Sequence, residues 1–206
     1  LIQLDHPTSV WVGRHLYDID IREHGSGNAG ATNTIRVLGT RVGLPVLLFD
    51  VLKGFLAVQL IHFTKSYDHG SFQYINGQLI LGGAAVLGHI FPLYVGFRGG
   101  KGVATILGIV IAIQPLPTLL VLGVFIITLL LTKYVSLSSM LAGISFPVLI
   151  IVIFKIEIPS ITIFSILVAV MLVFTHRKNI TRLLRHEENK VNLPRETGIN
   201  IWDLLL

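Results

Sequence analysis

Residues 102–131 read GVATILGIVIAIQPLPTLLVLGVFIITLLL, and no charged side chain interrupts them. A helix needs about 20 apolar residues to cross the hydrocarbon of a bilayer, although about 17 suffice. The segment QPLP at 114–117 divides the stretch. Proline donates no backbone amide and restricts the residue before it, so the chain is expected to turn there. The stretch therefore predicts a short helix over 102–113 and a second helix over 118–131.

The composition of the whole chain agrees with a membrane setting. Of its 206 residues, 52% are hydrophobic and 13% are charged, and the mean hydropathy is +0.76. Soluble domains carry about 25% charged residues, so we exclude an ordinary soluble domain. The chain has no cysteine, which excludes disulfides, thiolate metal sites and a catalytic thiol.

Further apolar segments extend the same pattern along the chain. With the two above, they predict spans at 37–63, 78–97, 102–113, 118–131, 137–154 and 159–175. Residues 1–13 predict only half a span, as if the sequence began inside a first helix. Counting that helix, we predict an all-α, polytopic integral membrane helix bundle with seven transmembrane helices. It forms a single domain over 1–206, of which 186–206 is a cytoplasmic tail.

The lysine and arginine residues are distributed unevenly over the predicted loops. If the loop at 14–41 is cytoplasmic, all but three of the 16 lysine and arginine residues lie on that side. Lys65 and Lys155 lie on the other side, and Lys53 lies within a span. This asymmetry is typical of the positive-inside rule, so the net charge of +5 needs no nucleic-acid partner. It predicts a multi-pass membrane protein with a cytoplasmic C-terminus.

Three polar clusters fall on the predicted cytoplasmic side: GSGNAGATNTIR at 25–36, FRGGKGVATILG at 97–108 and HRKNITRLLR at 176–185. In the first two clusters, glycines let the backbone approach a ligand closely. Successive amides, a helix N-terminus and a nearby cation then suit an anion. The nucleotide-binding pattern GxxxxGK[ST] is absent, because Lys101 is followed by Gly102. The coincidence of three such clusters on one face predicts a shared phosphate or carboxylate site.

The segments SGNAGATN at 26–33, GHIFPLYVGFRGGKGVAT at 88–105 and HRKNITRLL at 176–184 resemble the bacterial acyl-phosphate:glycerol-3-phosphate acyltransferases. The resemblance covers the chain from about residue 7 to 185. It implies a seven-helix membrane bundle whose active site faces the cytoplasm. The implied reaction transfers a fatty acyl group from acyl phosphate to the 1-hydroxyl of glycerol 3-phosphate, giving lysophosphatidic acid and phosphate. Membrane lipids are the implied surroundings, and no cofactor or metal is expected.

Residue by residue, the matching motifs and the demands of an anion site suggest two groups of site residues. The predicted catalytic group comprises Ser26, Arg36, Lys101, His176 and Asn179. The predicted phosphate-binding group comprises Gly27, Asn28, Gly30, Thr32, Asn33, Gly99, Gly100, Gly102, Thr105 and Ser139. Two proton acceptors stay open, namely His176 and a phosphate oxygen of the donor. Oligomeric state is not predicted.

Other polar residues carry alternative interpretations. Asp50 and Lys53 lie three apart and can pair within one helix, either to brace the site or to contact substrate. His89 is expected to be a helix-packing hydrogen bonder. His15 and Asp20 satisfy the H-x-x-x-x-D pattern of acyl-CoA-dependent acyltransferases, which we interpret as coincidence. The rival function is an anion or organophosphate transporter, but no internal repeat is visible.

Overall fold

The structure is a computed structural model, and it describes residues 7–64 and 67–191. The predicted half-span lies partly outside these residues, as do Lys65 and most of the predicted tail. Over the described residues the chain forms nine successive α-helices. They are α1 (Thr8–Leu16), α2 (Ala31–Leu38), α3 (Thr40–Gln59), α4 (Phe72–Ile90), α5 (Val103–Ile113), α6 (Pro115–Thr132), α7 (Val135–Val148), α8 (Pro159–Thr175) and α9 (Arg177–Leu184).

Four stretches of the described chain are long and apolar enough to cross a bilayer. They are Thr40–Thr64, Phe72–Val95, Pro115–Thr132 and Val135–Ile153, where α7 continues as a π-helical turn over Leu149–Ile153. Helices α8 and α9 qualify together but are bent by 57°. Helix α5 has 11 residues, too few to cross alone. The predicted all-α polytopic bundle is confirmed, whereas the count of seven spans stays a prediction.

Two predicted spans, those around α3 and α4, have misplaced boundaries for local reasons. The span predicted over 37–63 is divided at Gly39, whose φ of +84° ends α2 and precedes α3. The span predicted over 78–97 begins earlier, because the Ser71 hydroxyl accepts the Tyr74 amide and caps α4. It also ends earlier, because Pro92 restricts the residue before it.

The turn predicted at QPLP is shorter than expected. Only Gln114 interrupts the helices, and α6 begins at Pro115 with Pro117 in its first turn. Proline is tolerated there because the first amides of a helix have no intrahelical partner. The two helices therefore meet almost without a loop, and the second helix is longer than predicted.

Helix α5 is short but central to the packing. Its Thr105 carbonyl lies against Gly54 of α3, and its Gly108 lies against the Val51 carbonyl, so a side chain on either glycine would overlap backbone. Small residues allow such close helix approach in membranes. Ile109 is fully buried and contacts Gly82 of α4. The start of α5, which follows the predicted phosphate-binding lysine, is thereby held firmly.

The loop between α1 and α2 is tied down by one carboxylate. Asp20 Oδ2 accepts from Arg14 Nη2 at 2.7 Å and from Arg22 Nη2 at 2.6 Å. Hydrogen bonds from Arg22 hold the pKa of Asp20 well below its usual range. Arg22 Nη1 also donates to the Val95 carbonyl at 2.6 Å. Asp20 and Arg22 therefore join the loop before α2 to the loop after α4.

Candidate active site

Residues 24–33, which we name the Asn33 loop, fold around one side-chain amide. Asn33 Oδ1 accepts from the Ser26 amide at 2.8 Å and from Ser26 Oγ at 3.0 Å. Asn33 Nδ2 donates to the carbonyls of Ile21 at 2.9 Å and His24 at 3.0 Å. Both ends of this amide are therefore engaged within the protein, and Asn33 is only 2% exposed.

The glycines of the Asn33 loop are explained by this wrapping. Gly25 and Gly27 have φ values of +61° and +74°, a backbone region that disfavours residues with a Cβ. A side chain at Gly25 would also overlap Asn33 Oδ1. The small residues thus let the loop close around Asn33, which sequence reasoning had assigned to phosphate instead.

The glycine-rich loop before α5 is held against α4 and the Asn33 loop. The Gly99 amide donates to the Ile90 carbonyl and the Gly100 amide to the His89 carbonyl, both at 3.2 Å. A methyl group on Gly100 would overlap His89 Nε2 and lie 3.0 Å from the Ala29 carbonyl. The first two predicted clusters are therefore in direct contact.

Four polar side chains form what we name the Lys101 cluster. Lys101 Nζ donates to Asn179 Oδ1 at 2.5 Å, and Asn179 Nδ2 donates to Glu188 Oε1 at 2.7 Å. The same Glu188 oxygen accepts from Ser136 Oγ at 2.7 Å. This chain of contacts brings the third predicted cluster to the other two.

The surroundings of Lys101 favour loss of the proton from its ammonium group. Burial lowers the pKa of the Lys101 ammonium to about 8, the Glu188 charge opposes the shift, and the charges of Arg182 and Arg36 add to it. Cations that repel one another at a partly buried site favour an anionic ligand between them. The electrostatics therefore suit phosphate.

His176 lies at the bend between α8 and α9. Its Nδ1 is 2.7 Å from the Leu172 carbonyl oxygen, and it is 2% exposed. Because a carbonyl only accepts, this contact assigns the proton of the neutral ring to Nδ1. The Nε2 lone pair is then available to accept a proton, as a general base requires.

The other predicted site residues are spread over several environments. Thr32 and Arg36 are exposed on α2, and Gly27 is exposed in the Asn33 loop. Ser139 is buried and donates to the Val135 carbonyl of its own helix at 2.8 Å. Thr105 is fully buried, and its hydroxyl has no partner among the described residues. Direct substrate contact by these side chains stays a prediction.

Sequence reasoning missed Glu188, which it placed in the tail. The segment after α9 packs against the start of α7, since the Val191 amide donates to the Lys133 carbonyl at 2.8 Å. Lys190 Nζ lies 5.6 Å from the centre of the Tyr134 ring. The only signal in the sequence was an acidic residue shortly after an amphipathic basic helix, which is too common to mark a site.

The H-x-x-x-x-D pattern does not assemble an acid–base pair. Asp20 accepts from Arg14 and Arg22, while His15 Nδ1 contacts the Trp11 carbonyl at 3.0 Å. We expect His15→Ala to keep the acyl transfer that the motifs imply within about twofold of wild type, since surface changes away from functional contacts have small effects. An assay of purified protein checks this, and a tenfold loss by a well-folded variant would contradict it.

Comparison with known proteins gives a consistent result. Residues 6–186 match the family Glycerol-3-phosphate acyltransferase. A glycerol-3-phosphate acyltransferase of Chlorobaculum parvum is 42% identical over 93% of each chain. One of Chlorobium phaeobacteroides strain BS1 is 42% identical over 90% of each chain.

Two solved structures also resemble the chain. Both are crystal structures of PlsY (YgiH), an integral membrane glycerol 3-phosphate acyltransferase. The glycerol 3-phosphate form has a TM-score of 0.79 and 34% identity, covering 97% of this chain and 96% of that one. The lysophosphatidic acid form has a TM-score of 0.77 and 35% identity, covering 93% and 91%. The resemblance read from the motifs is confirmed, and the chain belongs to the glycerol-3-phosphate acyltransferase family.

Proposed function

We propose that the protein transfers a fatty acyl group from acyl phosphate to the 1-hydroxyl of sn-glycerol 3-phosphate. The products are lysophosphatidic acid and inorganic phosphate, and the reaction is the first acylation of phospholipid synthesis. The family and the ligands of its solved members support glycerol 3-phosphate as the acceptor. We further propose that the site faces the cytoplasm from the inner membrane, in keeping with the distribution of basic residues.

The proposal is carried by one observation: the N-termini of three helices supply the Lys101 cluster, and the N-terminus of a fourth lies beside the preceding Gly100. Helix α5 begins two residues after Lys101, α7 contributes Ser136 from its first turn and α9 contributes Asn179. The residue before the N-cap of α2, Ala29, lies against Gly100. Each helix N-terminus carries partial positive charge and free amides, so together with an ammonium they favour bound phosphate.

The reaction requires the protein mainly to position its two substrates. The glycerol 1-oxygen attacks the acyl carbon, the bond from that carbon to the phosphate oxygen breaks, and phosphate leaves with the electron pair. The hydroxyl proton passes either to His176 Nε2 or to a phosphate oxygen of the donor. Acyl phosphate is already activated. Holding the two phosphates close together and compensating their charge therefore provides most of the reduction in the activation barrier.

We assign roles on that basis. Lys101 and Arg36 compensate phosphate charge, Thr32 donates a hydroxyl hydrogen bond, and the amides of the glycine-rich loop complete the cradle. The Ser26 hydroxyl, which donates to Asn33 Oδ1 in this structure, turns to phosphate when the ligand binds. Asn179 holds the Lys101 ammonium at 2.5 Å. Asn33 contributes indirectly, because its amide organises the loop that presents Ser26.

A direct assay tests the function and its donor. Purified protein, with glycerol 3-phosphate and an acyl phosphate in mixed micelles, is expected to release phosphate and form lysophosphatidic acid. We expect no product when acyl-CoA or acylated acyl-carrier protein replaces acyl phosphate. Equal rates with acyl-CoA would overturn the donor assignment. Uptake of an organophosphate into vesicles without acyl transfer would favour the transporter instead.

The depressed pKa of Lys101 predicts a pH dependence. Its ammonium loses its proton as pH rises through about 8, so kcat/KM for glycerol 3-phosphate should fall above that pH. Because the Glu188 carboxylate opposes the loss of this proton, Glu188→Gln should move the fall to lower pH. Lys101→Arg should remove it, since arginine stays charged. A pH profile with no alkaline fall in the wild type would contradict the role of this ammonium.

A further inference from the structure

Three titratable side chains meet in the interior of the bundle, away from the Lys101 cluster. Lys53 Nζ lies 2.6 Å from Asp50 Oδ1 on its own helix α3 and 2.6 Å from His89 Nδ1 on α4. Thr8 Oγ1 of α1 also donates to Asp50 Oδ1, at 3.2 Å. Exposure of the three, which we name the buried triad, is between 2% and 4%. Ionisable groups inside a membrane protein are costly and are retained for a purpose.

The hydrogen bonds assign the protonation of the triad. An ammonium only donates, so His89 Nδ1 must accept from Lys53, and the neutral ring carries its proton on Nε2. Lys53 and Asp50 compensate each other, which leaves the triad without net charge. One lysine between two acceptors therefore fixes both the tautomer and the orientation of the imidazole.

The fixed imidazole lies against the glycine-rich loop. Its Nε2 packs beside Gly100, where a methyl group would overlap it. The His89 carbonyl accepts the Gly100 amide at 3.2 Å. His89 thus holds Gly100 by both its ring and its backbone, and Lys101 is the next residue. The Ala29 carbonyl also lies close to Gly100, since it would be 3.0 Å from a Cβ atom at this position.

We propose that Lys53, held between Asp50 and His89, is a positioning residue that places the Lys101 ammonium for its phosphate ligand. It acts through the His89 ring and the Gly100 backbone without touching substrate. The proposal rests on the proposed function, since it assumes that Lys101 binds glycerol 3-phosphate. A residue that only stabilises the fold would change the amount of folded enzyme but leave KM unchanged.

Lys53→Met alone leaves the Asp50 carboxylate buried and unpaired, which is strongly destabilising. The test therefore uses Asp50→Asn combined with Lys53→Met, which removes both charges and keeps the volume. We expect the double variant to have the unfolding temperature of the wild type. Its KM for glycerol 3-phosphate should rise about tenfold, because the Lys101 ammonium is displaced. A wild-type KM in the folded variant overturns the proposal.

A second variant covers the case in which the double change does not fold. His89→Asn keeps an acceptor near Lys53 but removes the ring edge that packs on Gly100, so KM should rise in the same way. Thr118→Val is the matched control, because Thr118 is buried in α6 and its hydroxyl donates to the Gln114 carbonyl, one turn earlier in the chain. The control should keep the wild-type KM. A folded His89→Asn protein with that KM overturns the proposal.

A binding cycle separates this proposal from the function on which it rests. Calorimetry measures the Kd of glycerol 3-phosphate for the wild type, Asp50→Asn/Lys53→Met, Lys101→Met and the combined protein. If the triad acts through Lys101, the combined protein binds within about twofold of Lys101→Met. Fully additive losses overturn the route through Lys101. A wild-type protein that binds glycerol 3-phosphate but transfers no acyl group overturns only the proposed reaction.

Discussion

Replacing Lys101 by alanine is expected to lower kcat/KM for glycerol 3-phosphate by about 10³-fold, a loss comparable to that of a charge-stabilising donor in other active sites. The ammonium sits at the start of α5 and contacts Asn179 Oδ1. Its removal leaves Arg182 and Arg36 as the cations whose charges act on this position. Steady-state assays over a range of glycerol 3-phosphate concentrations measure the effect.

Two companion variants make the Lys101 result interpretable. Lys101→Arg keeps the charge but not the compact ammonium, so part of the activity should return. Lys178→Ala removes an exposed cation one residue from Asn179 and should change kcat/KM by less than about twofold. A Lys101→Ala protein with wild-type kcat/KM would contradict the phosphate role of this residue.

Replacing Asn33 by alanine is expected to lower both stability and activity. The change removes four hydrogen bonds, those to Ser26 N, Ser26 Oγ, Ile21 O and His24 O. The Ile21 and His24 carbonyls still accept the amides of His24 and Gly27, so each lost hydrogen bond costs about 0.5–1.5 kcal/mol. We expect a lower unfolding temperature in detergent, together with a loss of acyl transfer of about 10²-fold as Ser26 loses its position.

The variants Asn33→Asp and Asn33→Ala together distinguish a role of Asn33 in organising the loop from a role in binding phosphate. A carboxylate keeps the volume but turns lone pairs toward the Ile21 and His24 carbonyls, so the loop should be destabilised as much as by alanine. If Asn33 instead bound phosphate directly, as its position in the motif first indicated, Asn33→Ala would raise KM without changing the unfolding temperature. That outcome would contradict its role as loop organiser.

The parts of the site predicted from sequence are those where residue type alone limits the structure. Glycines beside polar residues at the end of an apolar stretch indicate a backbone-lined anion site, and Lys101 directly before an apolar helix indicates its cation. The convergence of the three clusters followed from the topology, since all were placed at the same ends of the predicted spans. The structure brings them into contact through Gly100 and Asn179.

The parts of the site that the sequence did not predict depend on contacts between residues that are distant in sequence. Nothing in the order of residues says that Asn33 bonds back to Ile21, or that Glu188 returns to Asn179 and Ser136. The Asp50 and Lys53 pair was predicted from their spacing, but their third partner, His89, comes from another helix. Helix ends were misplaced where a cap or a proline, rather than hydropathy, decides the boundary.

The proposed roles at this site all depend on phosphate binding between the segments around Lys101. A crystal structure of the protein with bound glycerol 3-phosphate decides this. We expect the phosphate within hydrogen-bonding distance of Lys101 Nζ, beside the glycine-rich loop and the Asn33 loop. A glycerol 3-phosphate bound elsewhere, with Lys101 still bonded only to Asn179, would contradict it.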